Sequence, residues 1–188
     1  MNLSVTWLSI ANSALSMINR QVLQSLDDAG TAAMLCNQFI PVVAKEVLAM
    51  NDWKCARKFI SIAPLTSEPV PSGYSYAYQL PADFVRLHSL TGSWQRIGDR
   101  IYSDQPTLDM VYIAMPATPA AIDGMLVSAI IYLLASRLAY SLTSDYSLVS
   151  AYSQEGLTRI QLAKQHETAG EKDIMVEMND LSSEAVIL

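Results

Sequence analysis

The spacing of apolar residues changes period twice along this chain, and any fold must accommodate both changes. Up to about residue 52 they recur three and four apart, the helical period. From Cys55 they fall, imperfectly, on every second residue. Helical spacing returns at Asp123. Such a pattern predicts a β-rich block inserted between helical segments that pack on one another. The expected fold is mainly α: a bundle of about four helices formed by residues 1–54 and 120–169, an inserted β-rich region at 55–119, and an extended C-terminal arm at 170–188.

Leu8, Ala11, Leu15 and Ile18, with Trp7, Ala14 and Met17 beside them, predict a first helix over roughly residues 4–19. A turn, "SLDDAG", follows. Thr31 or Asp28 is placed to cap a second helix whose buried stripe reads Leu35, Phe39, Val43, Val47 and Met50. Pro41 lies inside that pattern and predicts a kink or a fresh start. In the β block, "KCARKFISIAPL", "YSYAYQL", "FVRLHSL" and "LDMVYIA" read as strands, and "WQRIGDRIYSD" reads as a hairpin about Gly98-Asp99. Asp123 then caps a central helix carrying Leu126, Ile130, Leu133, Ala135, Leu138 and Leu142. Its one charge, Arg137, needs a partner or an outlet to solvent. Thr143-Ser144-Asp145 turns into a fourth helix with Val149, Tyr152, Gly156, Ile160 and Ala163 on one face. The pattern weakens from Gly170, as in a segment that orders only on contact with another protein.

Charged residues make up only 16 % of the 188, against 51 % apolar, and the net charge is −6. A domain so poor in charge is expected to hide part of its surface against neighbours. Twelve Lys and Arg, none in a run, argue against clustered phosphate contacts with nucleic acid. The uncharged stretch from Gly124 to Ser136 is shorter than the roughly 18–20 residues of a membrane span. It reads as a buried helix, with no membrane partner. The N-terminus lacks a charged signal region, and two cysteines, Cys36 and Cys55, read as buried reduced thiols in a chain that matures in a reducing cytosol.

Chemistry is sparse. His88 and His166 have no metal-ligand spacing, and no nucleophile elbow or phosphate-binding loop occurs, so neither metal nor cofactor is expected. Carboxylates could pair for glycoside hydrolysis, with Asp27, Asp28, Asp83, Asp99 and Asp104 as candidates. The alternative to a non-enzymatic role is thus a peptidoglycan-cleaving hydrolase using groups such as Asp83. Tyr74, Tyr76 and Tyr78 alternate along one strand, each with an apolar ring and a hydroxyl that needs a partner, and Pro81 stops the pairing. They suit either the core or an interface, and with Trp94 and Tyr102 they form the candidate contact surface.

Taken in order, "ALSMINRQVLQSLDD", "VLAMNDWKCARK", "YSYAYQLPADFVRL", "LDMVYIA" and "LASRLAYSLT" resemble the head-to-tail adaptor of short-tailed bacteriophages, the tail tubular protein A family. The resemblance covers about residues 8–165. Many relatives place Gly after the first-helix isoleucine, where this chain has Asn19. The resemblance implies a dodecameric ring below the portal vertex that extends the DNA channel. It implies docking of the tail nozzle and of fibres or spikes, and passage of DNA without sequence-specific binding. It also implies residence in the virion neck after assembly in the host cytoplasm, and no enzymatic activity. The C-terminal segment is then the portal-binding arm, through Ile174, Met175, Val176, Met178, Leu181 and Leu188, and Tyr74, Tyr76, Tyr78, Trp94 and Tyr102 face a neighbouring copy or the nozzle.

Overall fold

A computed structural model describes residues 4–184, with side chains described through residue 168. The chain forms two compact units. One is Leu48–Ala117, and the other is built from the segments before and after it.

The first unit is helical. Helix α1 (Trp7–Met17) opens with a capping box: Thr6 Oγ1 accepts from the Ser9 amide at 3.1 Å, and Ser9 Oγ accepts from the Thr6 amide at 2.9 Å. It closes with a Schellman motif. The amide of Arg20 donates to Leu15 and that of Asn19 to Ser16, with Asn19 at φ +54°. Asparagine is among the few residues that enter the left-handed region at modest cost.

Helix α2 (Thr31–Ala49) continues through Pro41. Asp28 does not cap it; its carboxylate accepts from the amides of Gln24 and Ser25 and closes the preceding turn. The buried stripe is Ala33, Cys36, Ile40, Val43, Ala44 and Val47. It is rotated by about one residue from the predicted stripe, so Leu35 and Phe39 are half-buried at its margin and Met50 is exposed.

Helix α3 (Gly124–Thr143) is capped by Asp123, which accepts from the Met125 amide at 2.8 Å. Arg137 finds its partner in Glu46 of α2, at 2.6 and 2.8 Å. The helix runs past residue 136 to Thr143, 20 residues in all. By length and composition alone, both α2 and α3 could cross a membrane, though each buries a face. Ser144, at φ +55°, turns the chain, and the Asp145 carboxylate caps α4 (Tyr146–Glu184) through the amides of Ser147 and Leu148. On α4 the buried side falls where the spacing placed it, at Gly156, Ile160 and Ala163. The Tyr152 hydroxyl donates to the Met17 carbonyl at 2.7 Å and ties α4 to α1. Contrary to the expected extended arm from Gly170, the backbone of α4 remains helical to Glu184.

The second unit overturns the mainly α expectation. It contains two three-stranded antiparallel sheets with their own core, so the protein is an α+β mixture. Strands β1 (Arg57–Ile62), β6 (Leu108–Ala114) and β3 (Phe84–Leu90) form one sheet in that order. Strands β2 (Tyr76–Gln79), β5 (Arg100–Ser103) and β4 (Trp94–Ile97) form the other. The β4–β5 hairpin turns at Gly98-Asp99, with Gly98 at φ +62° as a two-residue turn of the II′ kind requires. Pro81 ends β2, and a turn closed by the Phe84 amide on the Pro81 carbonyl carries the chain to the other sheet. Tyr78, Leu80, Ile101, Leu108, Met110 and Tyr112 form the core. The period-2 pattern therefore marks a unit with an interior of its own.

Candidate functional site

Cross-strand pairs share a face of a sheet, so the register shows what each aromatic side chain can do. Tyr78 lies opposite Ile101, and Tyr76 opposite Ser103. Tyr78 is fully buried, and its hydroxyl donates to the Gln105 carbonyl. Burial, and then the neighbouring Tyr76, push its phenol pKa up. Tyr76 packs half-buried on the same core, and Tyr74 is half-buried ahead of the strand. Tyr102, opposite Ala77, is buried. Of the five aromatic residues read as a contact surface, Trp94 alone is exposed, at 40 %. Tyr78 and Tyr102 are placed as core anchors, which leaves them no surface to offer a partner.

The structure disperses the candidate carboxylates into structural roles. Asp83 receives Lys58 Nζ at 2.5 Å and the Tyr112 hydroxyl at 2.9 Å. Burial alone would raise its carboxyl pKa, but the two hydrogen bonds and the Lys58 charge outweigh burial and hold it below the usual range. A general acid for sugar hydrolysis needs the opposite perturbation. Tyr112 is pushed up to about 12 by burial and by its bond to Asp83. The Tyr112 ring stacks on Phe84 at 5.9 Å, and the Arg96 guanidinium sits 5.0 Å over the Phe84 ring from the other sheet. Asp99 binds Gln79 and Arg100, and Asp104 accepts from Ser75. Asp28 closes the turn before α2, where its neighbour Asp27 donates its amide to Ser25 Oγ.

His88 Nδ1 meets Asp52, which also binds Arg57 at 3.1 Å. His166 is exposed on α4. Among the described residues no group of three His, Cys, Asp or Glu side chains is placed to hold a metal ion. Cys36 is buried, which pushes its thiol up to about 11. Cys55 is exposed, contrary to the expectation of two buried thiols; it follows Trp53 in a single 3-10 turn, Lys54–Ala56, where the helical stripe has already ended.

The surface carries apolar side chains that the periodicity did not single out. Phe59 on β1 is 69 % exposed and Met34 on α2 is 60 % exposed. Tyr140 and Tyr146 meet edge to face at 5.7 Å across the α3–α4 turn, both largely exposed. Phe59 was detectable only as a break in strict alternation beside Lys58. The two tyrosines flank Thr143-Ser144-Asp145, where helix periodicity carries no information about facing. A mostly apolar recess of about 240 Å³ opens between the start of α1 and the segment before α3, lined by residues including Val5, Trp7 and Pro119. Of the arm residues, Ile174, Met175, Val176, Met178 and Leu181 fall on the α4 backbone, with side chains beyond the described part, and Leu188 lies outside the described residues. No protein-family model matches the chain, and no curated protein matches it.

Proposed function

We propose that this chain is a structural adaptor of a short-tailed bacteriophage. It forms a ring between the portal vertex and the tail nozzle, extends the DNA channel and docks tail proteins. The observation that carries the reading is the exposure of Phe59, Met34, Tyr140 and Tyr146 on a chain with so little charge. Isolated exposed apolar residues are ordinary, but aromatic side chains left mostly in water on elements of both units fit a subunit completed by its neighbours. The ordered motifs of the adaptor family support it. So does Asn19, whose left-handed backbone suits the position that the family fills with glycine.

In a closed ring each copy presents one surface to a different surface of the next, so no copy needs to cover itself. The α4 helix, running to Glu184, supplies the segment that reaches the portal. DNA passes a wall without basic clusters and is not retained. No step of this activity makes or breaks a covalent bond. Mixing the purified chain with the portal oligomer of the same phage and weighing the complex by native mass spectrometry tests the reading. A monomer in isolation and a full ring of copies on the portal are expected. A chain that ignores the portal refutes it.

A further inference from the structure

Four strand edges close the two sheets, and they are not equally protected. The outer edge of β2 is met by the Leu65 amide, which donates to the Ala77 carbonyl at 2.8 Å. The edge strand β3 exposes Arg86, His88 and Ser89 and has two register irregularities against β6, the charge and bulge devices that discourage strand addition. Strands β1 and β4 have no such irregularity, and each carries one exposed basic residue, Lys58 and Arg96. β1 pairs with β6 without interruption over six residues and exposes Phe59. β4 pairs with β5 without interruption, all four of its residues are exposed, and Trp94 and Ile97 are among them. Neither strand contains proline, and among the described residues no backbone bond beyond these ladders reaches residues 58–62 or 94–97.

The charges on the two open edges are already engaged within the subunit. Lys58 pairs with Asp83 and Arg57 with Asp52, while Arg96 lies over Phe84 and donates to the Gly98 carbonyl. Lys58, though exposed, is held by Asp83, so its charge is partly neutralised at that edge. The two-residue turn makes Ile97 and Arg100 the closing pair of the hairpin. Alternation then directs the main-chain groups of Trp94 and Arg96 away from β5, where they lack a partner strand. One chain thus presents two different unprotected edges, which is the requirement of a head-to-tail contact and not of a two-fold one.

We infer that the open edge of β4 receives strand β1 of a second copy of this chain, joining neighbouring subunits by strand addition. The inference rests on the ring reading and names its contact: main-chain hydrogen bonds hold the strands, and Phe59 of one copy packs beside Trp94 or Ile97 of the next. A photo-crosslinking amino acid at position 95, in particles assembled with the full-length chain, tests it directly, with mass-spectrometric mapping of the products. Crosslinks to residues 57–62 of a neighbour are expected. Arg96→Pro removes an outward main-chain donor and leaves the β4–β5 ladder whole, so ring formation should fall at least about tenfold. Arg96→Ala, which keeps the donor, should assemble normally. Rings with crosslinks elsewhere, or with Arg96→Pro assembling like Arg96→Ala, overturn the strand contact and leave the ring standing. Particles without a ring of this chain overturn both.

Discussion

Gly156 permits α3 and α4 to approach closely, and the cost of filling it follows from the geometry. A Cβ at this position would lie 2.7 Å from Leu133 Cγ and Cδ2 and 3.4 Å from the Leu133 backbone nitrogen. Alanine favours a helix over glycine by about 1 kcal/mol. Forcing a methyl into a filled contact costs about 1–3 kcal/mol. Leu133 is half-buried and can move in part, so the middle of that range applies. Gly156→Ala should then destabilise by about 1 kcal/mol net, and lower Tm by about 2–4 °C for a chain of this size. In a Leu133→Ala background the obstruction is gone and only the helix preference remains. There the same substitution should stabilise by about 1 kcal/mol, a coupling of about 2 kcal/mol. Urea unfolding of the four proteins, followed by far-UV circular dichroism, measures the cycle. If Gly156→Ala stabilises equally in both backgrounds, the close approach at Gly156 does not exist.

Other outcomes follow from the same structure. Asn19→Val places a β-branched residue at φ +54° and should cost about 1–2 kcal/mol, whereas Ser144→Gly relieves a similar backbone and should stabilise by several tenths of a kcal/mol to about 1, both read from urea midpoints. Asp83→Asn loses the charge that holds Lys58 and Tyr112 and should cost about 1 kcal/mol at neutral pH, the pair being partly exposed. Because the folded pKa of Asp83 is depressed, its contribution is present above the unfolded value of about 3.9 and is lost as pH falls through the folded one; wild type and Asp83→Asn should converge in stability in acid. Tyr112 behaves oppositely: its raised pKa gives a contribution present below about pH 10 and lost as pH rises through about 12, so Tyr112, like Tyr78, should lag in an ultraviolet titration, and of the two only Tyr112 should titrate earlier in Asp83→Asn. On the proposed adaptor role, truncation after Gly170 should abolish capture by the portal oligomer while α1–α3 keep their circular dichroism signal.

Much of the local structure was legible because it depends on short-range chemistry. Asp123 caps α3, Gly98-Asp99 makes the hairpin, and the face of α4 through Gly156, Ile160 and Ala163 is the buried one. The fold class was misread because strand patterns show that strands exist and not how they stack. Nothing in "YSYAYQL" or "LDMVYIA" tells that they fall in different sheets around a shared core. The α2 stripe was rotated because Leu35 and Phe39 are as apolar as Cys36 and Ile40, and only packing chooses between adjacent faces. The tyrosine row was legible as a row, but its depth was not. A phenol serves a core as well as an interface once its hydroxyl finds a carbonyl, as that of Tyr78 does at Gln105. Trp94 and Phe59 became informative only when β4 and β1 proved to be edges, a property of sheet order that no single segment encodes.

Electron cryo-microscopy of the phage particle into which this chain is proposed to assemble, with density resolved at the neck, bears most directly on the proposed adaptor role. Identical copies closed into a ring between portal and nozzle, with DNA-sized space on the axis, are the predicted result. A particle whose neck holds no such ring, or holds this chain as a single isolated copy, contradicts it.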